Sequence, residues 1–135
     1  MVDDTGENGP VLPSGVTIER INRARDANRV ILEKWTSTIV FVLSTEGTMR
    51  FNRIRSMIPG MTSTMLTTRL REMEDYGMVT REVYPEVPVR VEYSLTERSM
   101  ELIPILIQMM EWAEKYYVEN RTGRFSDPTR PQFSS

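Results

Sequence analysis

The chain has 135 residues and a net charge of −2, long enough for one domain with a real core. It holds no cysteine and no histidine, which removes disulfides, thiolate chemistry, cysteine-based zinc sites and the commonest general base. No basic-then-apolar leader opens it and no apolar run approaches the roughly 20 residues of a membrane span, so a cytoplasmic protein without membrane contact, metal or cofactor is expected.

Taken in chain order, residues 1–15 are rich in Gly, Pro, Asp and Asn and read as a disordered segment. Ile18 to Lys34 is expected to be helical, with a thin apolar face through Ile18, Ile21, Ala24, Val30 and Ile31. Its four arginines (Arg20, Arg23, Arg25 and Arg29) suggest an interfacial element. Thr36 or Ser37 is placed to cap a second helix, whose Ile39-Val-Phe-Val-Leu43 run is apolar nearly all round and therefore central in the core. Thr48 to Phe51 reads as a short strand.

From Gly47 to Leu95 the pattern is a helix-turn-helix followed by a β-hairpin. Phe51 to Ile58 is a short helix and Pro59-Gly60 a turn. Thr62 is the N-cap of a further helix that runs through Leu66, Leu70 and Met73, and Gly77 fits its left-handed C′ position with Met78 folding back on Met73. Val79 to Val83 and Arg90 to Leu95 alternate as strands around Tyr84-Pro-Glu-Val-Pro88. Thr96 and Glu97 start a last helix to about Asn120, in which Pro104 should bend the helix or leave the Met100 carbonyl unpaired. Residues 121–135, with Gly, Pro and several hydroxyls, read as a disordered tail. The fold class is therefore mainly α with a small β-wing, an α+β winged helix-turn-helix over residues 16–120, whose commonest use is to lay one helix in the major groove of DNA.

Charge supports that use by its arrangement. Acids gather at Asp3, Asp4 and Glu7 and along the last helix at Glu97, Glu101, Glu111, Glu114 and Glu119, whereas Gly47 to Arg71 holds five arginines and no acid. Only Lys34 and Lys115 are lysines, and arginine's planar fork suits phosphates and guanine edges better than a point charge. Advancing about 100° per residue from Thr62 groups Leu66, Leu70 and Met73 within about 60°. Thr64, Thr68 and Arg71 then lie opposite, with Ser63 and Thr67 to one side. Short hydroxyls allow close approach to a groove, and Arg71 can fork onto a guanine. The competing reading is a solvated polar face, but one built of threonines is a poor choice for helix formation or solubility. Arg50, Arg53 and Arg55 would meet the backbone near the first helix of the motif. Arg69, beside the core stripe, should reach a phosphate or a carboxylate such as Glu72. Arg81 and Arg90 would grip flanking phosphates or form ion pairs with Glu82 and Glu92.

On the last helix Leu102, Ile105, Leu106, Met109, Trp112 and Tyr116 recur at helical spacing. A ligand cage from Met109, Met110, Trp112, Tyr116 and Tyr117 is one reading. Core packing or a helix–helix interface, shared with Ile21 of the first helix, is the favoured one, because exposed apolar stripes mark association.

From Trp35 onward the chain resembles the HxlR family of winged-helix regulators, relatives of the MarR type. The resemblance is carried by Lys34-Trp-Thr36, Arg50-Phe-Asn52, Ile58-Pro-Gly-Met61, Met65-Leu-Thr67, Arg69-Leu-Arg-Glu-Met-Glu74, Gly77, Val83-Tyr-Pro-Glu-Val-Pro88 and Arg90-Val-Glu-Tyr-Ser-Leu-Thr96, with Leu102, Pro104 and Trp112 in the last helix. It implies a homodimer joined through its terminal helices, which binds a short inverted repeat in double-stranded DNA and controls transcription, most simply as a repressor blocking promoter access. It also implies a small-molecule effector or other signal. Two departures stand out: Ser99 replaces the family's usual glycine, and the N-terminal cysteine that many members use to sense oxidants or aldehydes is missing. A winged helix used as a protein–protein module in a transcription or chromatin assembly is the alternative from another class. An enzyme finds no support.

Overall fold

A computed structural model describes residues 11–116 of the chain. Five helices and three strands follow in the order α1 (Ile18–Ala27), α2 (Thr36–Glu46), β1 (Thr48–Arg50), α3 (Phe51–Ser56), α4 (Ser63–Asp75), β2 (Val79–Tyr84), β3 (Arg90–Leu95) and α5 (Glu97–Tyr116). The strands form one antiparallel sheet with β3 in the middle, flanked by β1 and β2. β2 and β3 make the wing, in register Val79↔Leu95 to Tyr84↔Arg90. β1 ties the sheet back to the helices through Met49↔Tyr93 and a 2.9 Å hydrogen bond between the Thr48 and Ser94 hydroxyls.

The core sits where α2, α3, α4 and the sheet converge. Ile39, Val40 and Leu43 of α2, Ile54 of α3, and Leu66, Leu70 and Met73 of α4 are buried, closed by Met49, Met78, Val79 and Leu106. α2 is central, as its apolar run implies, with Phe41 and Val42 packed partly buried against the same cluster.

Several boundaries differ from the sequence reading, each for a tertiary reason. The first helix ends at Ala27 rather than Lys34. No residue of α1 is buried, whereas Val30, just beyond it, is only 3% exposed. The chain turns after Asn28 so that Val30 and Ile31 reach the core. Neither Thr36 nor Ser37 caps α2. Trp35 occupies the N-cap in the left-handed region (φ 81°), and Thr36 lies in the first turn, fully buried, its hydroxyl without a partner among the described residues. α3 ends at Ser56, two residues short of Ile58, as Met57 and Ile58 close tighter turns onto Ile54 and Arg55. The last helix is continuous through Pro104 to the end of the described residues. Of the segments expected to be disordered, residues 1–10 and 121–135 lie outside the described residues. Residues 11–15 end in a turn whose Gly15 carbonyl accepts from Arg20 at 2.6 Å.

Candidate nucleic-acid interface

α4 is fixed at both ends by local chemistry. The Thr62 hydroxyl accepts from the Met65 amide at 3.1 Å, satisfying one free N–H of the first turn. At the other end Gly77 adopts φ +70°, the Gly77 amide donates to Glu74 O at 3.0 Å and the Met78 amide to Met73 O at 2.8 Å. This pair of bonds is the Schellman closure that the glycine permits. The buried stripe Leu66, Leu70 and Met73 then sets the helix's rotation. Ser63, Thr64, Thr67, Thr68 and Arg71 are consequently exposed together on the outer side.

The hydroxyls on this face are partly committed. Thr68 Oγ1 donates to the Thr64 carbonyl at 3.0 Å, which leaves its lone pairs outward as acceptors. Ser63 Oγ accepts from the Arg55 guanidinium. Between α4 and the wing runs a groove of about 400 Å³, lined by Thr67, Leu70, Arg71, Glu74, Arg81 and Tyr93. Arg81 pairs with Tyr93 across the strands, so a wing arginine and a helix arginine line the same groove. Tyr93 and Glu74 are not among the residues that the sequence reading places at DNA. Tyr93 follows from the alternation once the register with Arg81 is fixed, whereas Glu74 needs the position of the wing.

Among the arginines expected near DNA, Arg50, Arg71 and Arg81 are exposed and form no ion pair among the described residues. Arg53, Arg69 and Arg90 are engaged by carboxylates. Arg53 chelates one Glu46 oxygen at 2.7 and 3.0 Å. That hydrogen bond holds the Glu46 carboxyl below its usual range and pushes Arg53 up. Arg69 binds Glu72 at 2.7 Å and lies 3.5 Å from Glu33, so it takes the carboxylate rather than the phosphate role.

Arg90 sits 3.9 Å over the Tyr84 ring, 3.1 Å from Glu86 and 3.5 Å from Glu92. Glu82 and Glu92 face each other in the register, a repulsive pair unless a cation intervenes. The Tyr84 hydroxyl donates to Glu82 at 3.1 Å, and that bond, with burial and the nearby carboxylates, raises the phenol's pKa. Arg90 thus neutralises the wing's own acids.

The residues expected at an interface also divide. Leu106 is buried in the domain's own core, and Leu102 packs partly buried against it. Ile21, Ile105, Met109 and Trp112 are exposed, at 39%, 53%, 53% and 64%. Tyr116 lies beside Trp112, ring centroids 5.6 Å apart and ring planes tilted by 52°.

Residues 30–121 match the family described as HxlR-like helix-turn-helix. The chain belongs to the HxlR family. It is 49% identical over 83 residues to an HTH-type transcriptional regulator of Methanothermobacter thermautotrophicus, a match spanning 62% of this chain and 63% of that protein's length. It is 51% identical over 85 residues to the HTH-type transcriptional regulator YybR of Bacillus subtilis, covering 63% of this chain and 67% of YybR. Among solved structures, the reduced form of the transcriptional regulator YodB from B. subtilis superposes with a TM-score of 0.61 at 32% identity, over 75% of this chain and 94% of YodB. This HxlR-type protein is accordingly a helix-turn-helix transcriptional regulator and not an enzyme. No helix among the described residues is long and apolar enough to cross a membrane.

Proposed function

We propose that the protein is a cytoplasmic homodimeric repressor that binds an inverted repeat and blocks access to a promoter. The observation that carries this reading is the exposed Ser63, Thr64, Thr67, Thr68 and Arg71 face of α4, flanked by Arg81, which forms no ion pair among the described residues. α4 lies in the major groove, Arg71 reads a guanine edge, and the threonine hydroxyls contact bases or phosphates. Arg50 and Arg81 hold the backbone on either side.

The two-fold arrangement is supported by apolar surface left on the terminal helices. Ile18 and Ile21 on α1, and Ile105, Met109 and Trp112 on α5, are all more than a third exposed. A second copy covering them removes that surface from water, and two copies related by a two-fold axis match an inverted repeat. No cysteine is present, so the signal that releases DNA does not enter through a thiol.

Sequencing genomic fragments retained by the purified protein tests the reading. The expected product is an inverted repeat whose half-site centres lie one turn, about 10 base pairs, apart. Retained fragments without a shared sequence would overturn it. In sedimentation equilibrium the parent should run at twice 15.7 kDa, and Met109→Asp should shift the mass toward one chain by burying an unpaired charge.

A further inference from the structure

Thr68 stands at the middle of the outer face of α4. It is two residues from each of the buried Leu66 and Leu70, which places it about 200° around the helix from either. It therefore projects directly away from the core, and it is exposed. Its hydroxyl is turned inward: Oγ1 donates to the Thr64 carbonyl at 3.0 Å. The single hydroxyl proton is committed there, so Thr68 cannot donate to a guanine or thymine oxygen or to a purine N7. The same bond fixes the rotamer of a side chain already stiff at χ1. On a helical residue the staggered position over the preceding turn is closed to carbon, so the γ-methyl takes one that points off the helix. Thr64 and Thr67 differ. Neither of their hydroxyls forms a hydrogen bond among the described residues, and both keep a donor for bases or phosphates.

We propose that Thr68 reads a thymine through its methyl group, laid against the 5-methyl of that base in the major groove. Thymine alone of the four bases carries an apolar group on this edge. A short, methyl-bearing side chain at the point of deepest approach meets it without breaking a hydrogen bond. The rotamer is set before DNA arrives, so little side-chain freedom is lost on contact. Acceptance by Oγ1 from an adenine or cytosine amino group is the competing contact, but Oγ1 is drawn back onto the helix's own backbone and recessed from it. Arg71 lies three residues on, about 4.5 Å along the helix axis, close to one base step of about 3.4 Å. The thymine therefore falls within two base pairs of the guanine that Arg71 takes. The inference rests on α4 lying in the major groove, as proposed above.

Deoxyuridine in place of thymidine removes the 5-methyl and leaves the pairing edge intact. Each thymine of a genomic site retained by the full chain is replaced in turn, and affinity is measured by fluorescence anisotropy. One thymine per half-site should respond, binding weakening about fourfold, as expected for one methyl returned to water. Thr68→Ser keeps the hydroxyl and removes the methyl. It should bind the thymine site about fourfold more weakly than the parent and no longer distinguish uracil at that position. Thr68→Val keeps a methyl and removes the acceptor, and should distinguish uracil as the parent does. No response to uracil at any position, a response that persists in Thr68→Ser, or one lost in Thr68→Val overturns the inference. Base-pair substitutions across the same site separate it from the reading on which it rests. If they change affinity while uracil does not, the methyl contact falls and the reading role of α4 stands; if neither changes affinity, both fall.

Discussion

Ser99 donates a buried 2.6 Å hydrogen bond from its hydroxyl to the Met78 carbonyl. The contact ties the first turn of α5 to the residue that follows the glycine cap of α4. Ser99 is only 1% exposed, and its hydroxyl is fully used. The position of the recognition helix against α5 is therefore held by side chains as well as by packing.

Ser99→Ala should cost about 1 kcal/mol, the net value of such a bond. Thr96 also meets the Met78 carbonyl, through its amide at 3.2 Å and its hydroxyl at 3.3 Å, so the loss should not reach the penalty of an orphaned acceptor. Thermal unfolding followed by circular dichroism should show a fall of a few degrees.

Arg81 and Arg90 should separate in a salt titration. Arg81 has no ion pair among the described residues, while Arg90 is held by Tyr84, Glu86 and Glu92. Arg81→Ala should make the slope of log affinity against log salt shallower by about 1. Arg90→Ala should leave the slope unchanged and lower the melting temperature, because Glu86 and Glu92 lose their cation. Anisotropy at several salt concentrations checks both.

Glu46→Gln should strengthen DNA binding. Arg53 is engaged by the Glu46 carboxylate; removing that charge frees the guanidinium for a phosphate and takes away a repulsion. Affinity should rise a few-fold and the salt slope steepen by about 1. The same pair gives a small pH dependence. The folded-state pKa of Glu46 is lowered by Arg53, so its contribution to stability is present above the ordinary carboxylate value and lost as pH falls through the folded one. An acid titration comparing parent and Glu46→Gln shows whether that part of the fall vanishes.

What was legible in the sequence was mostly local. Thr62 and Gly77 mark the ends of α4 because a cap is chemistry within a few residues, and the alternation from Val79 and from Arg90 fixes the wing. What was hidden depended on distant partners. Trp35 takes a left-handed conformation and α1 stops at Ala27 because the chain between them must deliver Val30 to the core, a demand made by α2 and α4. The stripe on α5 divides: Leu102 and Leu106 pack in or against the core, whereas Ile105, Met109 and Trp112 are exposed, and because Met109 lies within about 20° of Leu102 at about 100° per residue, spacing alone does not separate the two sets. Among the arginines, Glu72 lies three residues from Arg69 and is visible in sequence. Glu46 beside Arg53 and Glu33 beside Arg69 are brought there by folding.

The central claim is that α4 reads base sequence, and Arg71 is the residue on which it turns. Fluorescence anisotropy of the parent and Arg71→Ala on a retained genomic site, and on variants of that site changed one base pair at a time, measures it directly. The variant should lose about 1–3 kcal/mol on the intact site and lose its preference at one base pair of each half-site. Unchanged affinity together with an unchanged base preference would contradict the account.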